Sequence, residues 1–280
     1  PVESQDIMSY QVFKQSLIQA SETEYFLEED IVLQEEHLPA FYRAHIAPEH
    51  VDSSPEDTNT PAGKRQQALI QATRSDGRAY RWPEHRKKNI TYCVSDDFGV
   101  HHAAMLSIIQ DAFAAWSSAS QLEFGYRPQH NANCTRAKKV VSIVVRPTEK
   151  DSKRFAYAYF PYFSGKAFRS AIVFNPSKFF HKNRSVDRRL NTAMHEVGHT
   201  LGFAHEFSNS EEAKQRASVC TKNATKYFRP ITDYDVHSIL NYQSCGGTRY
   251  QRKASLSAQD KIGVARVYGR RFTSTSTTQR

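Results

Sequence analysis

One eleven-residue run constrains this 280-residue chain more than anything else in it: His195-Glu196-Val197-Gly198-His199-Thr200-Leu201-Gly202-Phe203-Ala204-His205. Leu190, Met194, Val197 and Leu201 recur at helical spacing through and before it, which predicts a helix over residues 185–201. Residues four apart on a helix share one face, a turn apart, so His195 and His199 can aim both imidazoles at a single ion. Glu196, beside the first of them, is badly placed to bind the same ion but well placed to hydrogen-bond a water there, the position of a general base. A catalytic zinc takes three protein ligands and keeps one position open. Gly202 can adopt a positive φ, end the helix in a sharp turn and bring His205 back as the third ligand. The full H-E-x-x-H-x-x-G-x-x-H pattern therefore points to Zn2+ held by His195, His199 and His205, with Glu196 activating water for hydrolysis.

Several classes fall away on composition. At 39% hydrophobic content the chain can bury a real core, and no run approaches the roughly 20 apolar residues that cross a bilayer, so no membrane partner is expected. The net charge of +9 is spread over scattered basic residues with no aromatic-interleaved signature, so no nucleic-acid partner is expected either. Cysteines stand at positions 93, 134, 220 and 245 with no C-x-x-C pair. Two disulfides suit an oxidising compartment, and of the three connectivities the separation into halves favours Cys93–Cys134 and Cys220–Cys245. The expectation is a secreted monomer whose signal peptide has been removed.

Beyond the zinc pattern, the run from His195 to Glu206 resembles the metzincin metallopeptidases and looks most like their astacin branch. Ser238-Ile239-Leu240-Asn241-Tyr242 is similar to the segment that carries the family's methionine turn, with Leu240 in the methionine's place; the likeness implies that Tyr242 stabilises the transition state. Phe155-Ala156-Tyr157-Ala158-Tyr159-Phe160-Pro161 is similar to the matrixin edge strand, which pairs with extended substrate. Arg81-Trp82-Pro83 with Ile90-Thr91-Tyr92 looks like the start of an astacin-type catalytic domain. Leu27-Glu28-Glu29-Asp30-Ile31 is similar to the astacin pro-segment motif F-x-G-D, departing from it at Leu27 and Glu29, and implies Asp30 as a zinc ligand in a latent form. Phe207 departs from the astacin pattern and weighs against burial of a mature N-terminus on Glu206.

The implied fold is α+β: a metzincin or zincin-like catalytic domain with a twisted mixed sheet, an active-site helix and a smaller irregular C-terminal subdomain, preceded by a partly helical pro-segment. Residues 1–79 read as an acidic segment and a Pro-containing linker, 80–269 as the catalytic domain, and 270–280 as a disordered polar tail. Strands are predicted at 90–94, 122–126, 140–145, 155–160 and 171–174, and a helix at 101–120. Ser257 to Asp260 resembles a capping box opening a helix that Gly269 ends. The functional expectation is an endopeptidase acting on proteins or peptides, made as a zymogen. The alternative is a catalytically silent zinc-binding protein that holds an acidic partner on its basic surface, and the retained Glu196 argues against it. A closed structural zinc site would need a fourth ligand, for which Glu206 and Asp30 are the candidates.

Overall fold

The computed structural model describes residues 10–27, 30–45, 68–72, 80–136, 141–149, 152–164, 167–209, 228–245, 247 and 253–271. The expected linker at 47–64, Cys220 and most of the expected tail lie outside the described residues; Arg270, at its start, accepts a hydrogen bond from Gln121.

The N-terminal segment contains α1 (Tyr10–Ser16), β1 (Ile18–Ser21), β2 (Glu24–Phe26), β3 (Ile31–Gln34) and α2 (Leu38–His45). β4 (Ala68–Ala72) follows. The next stretch runs β5 (Ile90–Val94), α3 (His102–Ala119), β6 (Phe124–Tyr126), β7 (Ile143–Pro147), β8 (Ala156–Tyr159), β9 (Tyr162–Ser164) and β10 (Ala167–Phe174). It continues through α4 (Pro176–Phe179), α5 (Val186–Thr200), β11 (Phe203–Ala204), β12 (Phe228–Thr232) and α6 (Ala258–Tyr268). Every strand and helix expected between positions 90 and 201 is present, with ends shifted by a few residues.

The main sheet runs in the order β1-β2-β3-β8-β10-β7-β5-β6, with β9 paired to β10 off that path. β5, β6, β7 and β10 are mutually parallel, whereas β8 pairs antiparallel with β10. This is the α+β, metzincin-like architecture implied by the sequence. The segment before position 45 is partly helical, as expected, with α1 and α2, and it also contributes three strands that extend the sheet past β8, with β3 parallel to β8. A second, three-stranded sheet orders β11-β4-β12, so part of the region assigned to the linker side of position 80 is woven into the lower half of the molecule.

α3 and α5 pack on one face of the sheet. Trp116, Phe113 and Ile109 of α3 meet Met194, Val197 and Leu201 in a core that, among the described residues, draws on none before Trp82. A second cluster joins Phe13, Tyr25, Leu27, Ile31, Leu33, Leu38 and Phe41 to Tyr80, Phe160 and Ala204. On the opposite face of the sheet a third gathers Phe26 and Val32 with Tyr157, Tyr159, Val144 and the Cys93–Cys134 disulfide. Cys245 is also disulfide-bonded, consistent with the second expected pair.

Candidate active site

Helix α5 begins as the sequence implied: the Ser185 side chain caps it by accepting from the Arg188 amide at 3.3 Å. Its apolar stripe is buried, and the Trp116 indole donates to the Met194 carbonyl at 2.9 Å, pinning the helix to α3. Gly198 lets the helix approach Leu240 closely, since a Cβ there would stand 2.8 Å from Leu240 Cδ2. At the far end Gly202 adopts φ +88°, and a Cβ would fall 1.5 Å from the Tyr80 carbonyl oxygen, so no other residue fits. The turn it makes places β11 and then His205 beneath the helix.

The structure brings His195, His199, His205 and Asp30 together, all buried, with their donor atoms within 4.8 Å of one another. His195 Nδ1 lies 2.7 Å from the Ile239 carbonyl and His199 Nδ1 2.7 Å from that of Phe203. A carbonyl only accepts, so both Nδ1 atoms carry the proton and both Nε2 lone pairs face inward. Those Nε2 atoms lie 3.0 Å apart, and His205 Nε2 is 3.2 Å from that of His195. Asp30 Oδ2 is 3.2 Å from His195 Nε2, and Asp30 Oδ1 is 3.0 Å from His205 Nε2 and 3.5 Å from that of His199. Zinc bonds of about 2.0–2.1 Å set tetrahedral ligands roughly 3.3 Å apart, and these spacings straddle that value. Converging lone pairs and a carboxylate are repulsive without a cation between them. The residues present thus fit Zn2+, and burial lowers the His199 imidazole to about 4, which keeps it a neutral ligand against the opposing pull of Asp30.

Glu196 is buried and its Oε2 has no hydrogen-bond partner. Burial, and next the charge of Asp30, push its carboxyl well above the usual glutamate range, with His205 opposing. Tyr242 stacks on His195 with ring centroids 5.3 Å apart, and its hydroxyl donates to Asp30 Oδ2. Glu206 is buried, its amide bonded to the Leu240 carbonyl and its Oε1 accepting from the Asp235 amide at 2.7 Å.

Two contributors escaped the sequence reading. Phe207, noticed only as a departure from a family pattern, lies parallel to His205 at 4.8 Å and walls the site. Asp260 was legible as a capping residue, and its cap on α6 is present. Its carboxylate also accepts from the Ser238 hydroxyl at 2.7 Å and the Ile239 amide at 3.0 Å. Ile239 is the residue whose carbonyl orients His195, so α6 holds a candidate zinc ligand through a single residue. The capping box was the available signal, but nothing in it shows what else the carboxylate can reach.

Comparison with known proteins bears on this geometry. Residues 81–242 match the matrixin family of peptidases. Among solved structures the chain resembles that of myroilysin, with 20% identity, a TM-score of 0.44, and coverage of 69% of this chain and 97% of that one. It also resembles high choriolytic enzyme 1, a hatching-enzyme zinc protease from the medaka fish Oryzias latipes, with 16% identity, a TM-score of 0.41, and coverage of 65% and 90%. No curated protein matches. Because the family match spans more than half of the chain and encloses all three histidines, the protein belongs to the matrixin family and is a zinc metalloprotease.

Proposed function

We propose that the protein is a secreted endopeptidase made as a latent precursor, with astacin-like features at its zinc site, in which residues 1–79 are pro-segment and linker and residues 80–269 the catalytic domain. The observation that carries this reading is the position of Asp30: a carboxylate just ahead of β3, the strand laid along β8, sits among the three histidines with its oxygens 3.0–3.5 Å from all three Nε2 atoms. That is the fourth corner of a tetrahedral site, the corner a catalytic water needs. The Cys93–Cys134 disulfide supports an oxidising destination, and no helix among the described residues is long and apolar enough to cross a membrane.

Zinc held by His195, His199 and His205 supplies Lewis-acid polarisation of the scissile carbonyl and of water. Glu196 Oε2 takes a proton from the attacking water and passes it to the leaving amine, a task suited to a carboxyl whose proton affinity is raised by burial. Tyr242, freed from Asp30, donates its hydroxyl proton towards the carbonyl oxygen as negative charge develops there. The antiparallel edge strand β8, once uncovered, offers backbone groups to an extended peptide.

The test is hydrolysis of a mixed peptide library by the zinc-loaded full chain, by the chain processed between positions 45 and 80, and by its Glu196→Ala variant. Cleavage confined to the processed, unmutated form is expected. Equal activity before and after processing would remove the latency reading, and zinc binding without cleavage by any form would favour the silent binding protein.

A further inference from the structure

The N-terminal segment touches the edge strand on two faces, and only one of them is the zinc face. On the other, Tyr157 and Tyr159 of β8 are flanked by two guanidinium groups contributed by the catalytic part of the chain. Arg136 lies over the Tyr159 ring, its Cζ 4.0 Å from the centroid, and pairs with the Glu24 carboxylate, both side chains less than one-fifth exposed. Arg154 lies over the Phe26 ring at 3.3 Å, and that ring meets Tyr157 edge to face at 5.4 Å. Glu24 and Phe26 are two apart on β2 and so point to the same side of the sheet. Val32 of β3 belongs to the same buried cluster as Phe26, Tyr157 and Tyr159. Arg136 stands two residues after Cys134, whose disulfide to Cys93 ties its loop to β5, so it is held in place independently of the segment it binds.

We propose that this outer face of the edge strand is a substrate-docking site that takes an acidic residue followed, two positions on, by an aromatic one in a protein substrate. Glu24 and Phe26 show its chemistry: a carboxylate on Arg136 backed by Tyr159, and a ring between Tyr157 and Arg154. The inference rests on the latency reading, because the face is uncovered only when the segment leaves. Charge favours the same partner. Residues 1–79 carry 14 acidic against 6 basic residues, net −8, whereas residues 80–280 carry 15 against 32, net +17. Removal of the segment leaves a strongly basic protein with Arg136 already held over the Tyr159 ring beside the strand where substrate lies. Guanidinium groups held this way lose little freedom on binding a carboxylate, so they select rather than merely attract.

The probe is a labelled peptide with the sequence of residues 21–27, Ser-Glu-Thr-Glu-Tyr-Phe-Leu, which lacks Asp30 and cannot reach zinc. It is titrated into the processed, zinc-loaded protein, whose main core, among the described residues, is built from Trp82 onward. Binding at least tenfold weaker after Glu24→Gln or Phe26→Ala in the peptide, or Arg136→Ala in the protein, is expected, with Arg136→Lys retaining part of it. Sequencing the products of library digestion should show acidic-x-aromatic segments enriched among cleaved peptides, and the enrichment lost in Arg136→Ala. Absence of peptide binding overturns the proposal, as does binding without enrichment, which would make the face a pro-segment seat alone. Full activity before processing would strike the latency reading while the binding titration still decides this one.

Discussion

Two clusters of buried side chains meet at β8, and they differ in who supplies them. Among the described residues the core under α3 and α5 is drawn from Trp82 onward, while the neighbouring cluster is mostly Phe13, Tyr25, Leu27, Ile31, Leu33, Leu38 and Phe41, closed by Tyr80, Phe160 and Ala204 from the later chain. The first holds the histidine-bearing helix α5. The second is an interface within one chain, and its loss should release the N-terminal segment while leaving the zinc site standing.

The sharpest way to break that comparison is to damage each side separately. Trp116→Ala removes a fully buried indole and its bond to Met194, and should cost about 3–5 kcal/mol in both the full and the processed protein, read by denaturant unfolding. Leu33→Ala, in the second cluster, should cost roughly 2–4 kcal/mol of segment docking, appearing as raised activity of the unprocessed chain with the unfolding midpoint of the processed protein unchanged. If Leu33→Ala shifts that midpoint as well, the two clusters are one cooperative unit.

Finer effects sharpen the contrast. Gly198→Ala should cost about 1–3 kcal/mol, because its Cβ meets Leu240 Cδ2 at 2.8 Å and Trp116 at 3.1 Å, and zinc affinity should fall as the Leu240 segment is displaced. The smallest effect concerns acid. Burial works to raise the Glu24 carboxyl, but the Arg136 charge and the hydrogen bond from Gln34 outweigh it and leave it below the ordinary glutamate value. A carboxyl depressed in the docked state stabilises docking above its ordinary value, and that contribution is lost as pH falls through the lowered one. Release of the segment, followed by its susceptibility to a second protease, should therefore rise in acid for the native chain and show a flatter response in Glu24→Gln.

How much of this could be read beforehand follows the same division. α5 was legible because three independent signals agree there: the apolar period, the Ser185 cap, and a glycine at the one position where the chain must turn. β1 to β3 were not. They are three or four residues long, carry no alternation strong enough to distinguish them from a helical or loop segment, and exist because an edge strand lies beside them. Asp30 came into view only through its likeness to a pro-segment motif, since an acidic run does not show which carboxylate is turned inward. The partners of Asp260 and the stacking of Phe207 were hidden for a related reason: each depends on segments brought together from distant parts of the chain.

One contact fixes where the chain can be divided. The carbonyl of Tyr80 occupies the space that a side chain at position 202 would need, the Trp82 indole donates to the Thr200 carbonyl at 2.8 Å, and the Tyr268 hydroxyl bridges the Leu201 carbonyl and the Trp82 amide. The last turn of the histidine-bearing helix is thus sealed by the first residues of the body that contains it. A cut ahead of Tyr80 leaves that seal intact, while one that also takes Trp82 uncaps the helix at the very point where the chain turns to deliver His205. A cut that also spares β4 keeps the strand that pairs with β11 just ahead of His205.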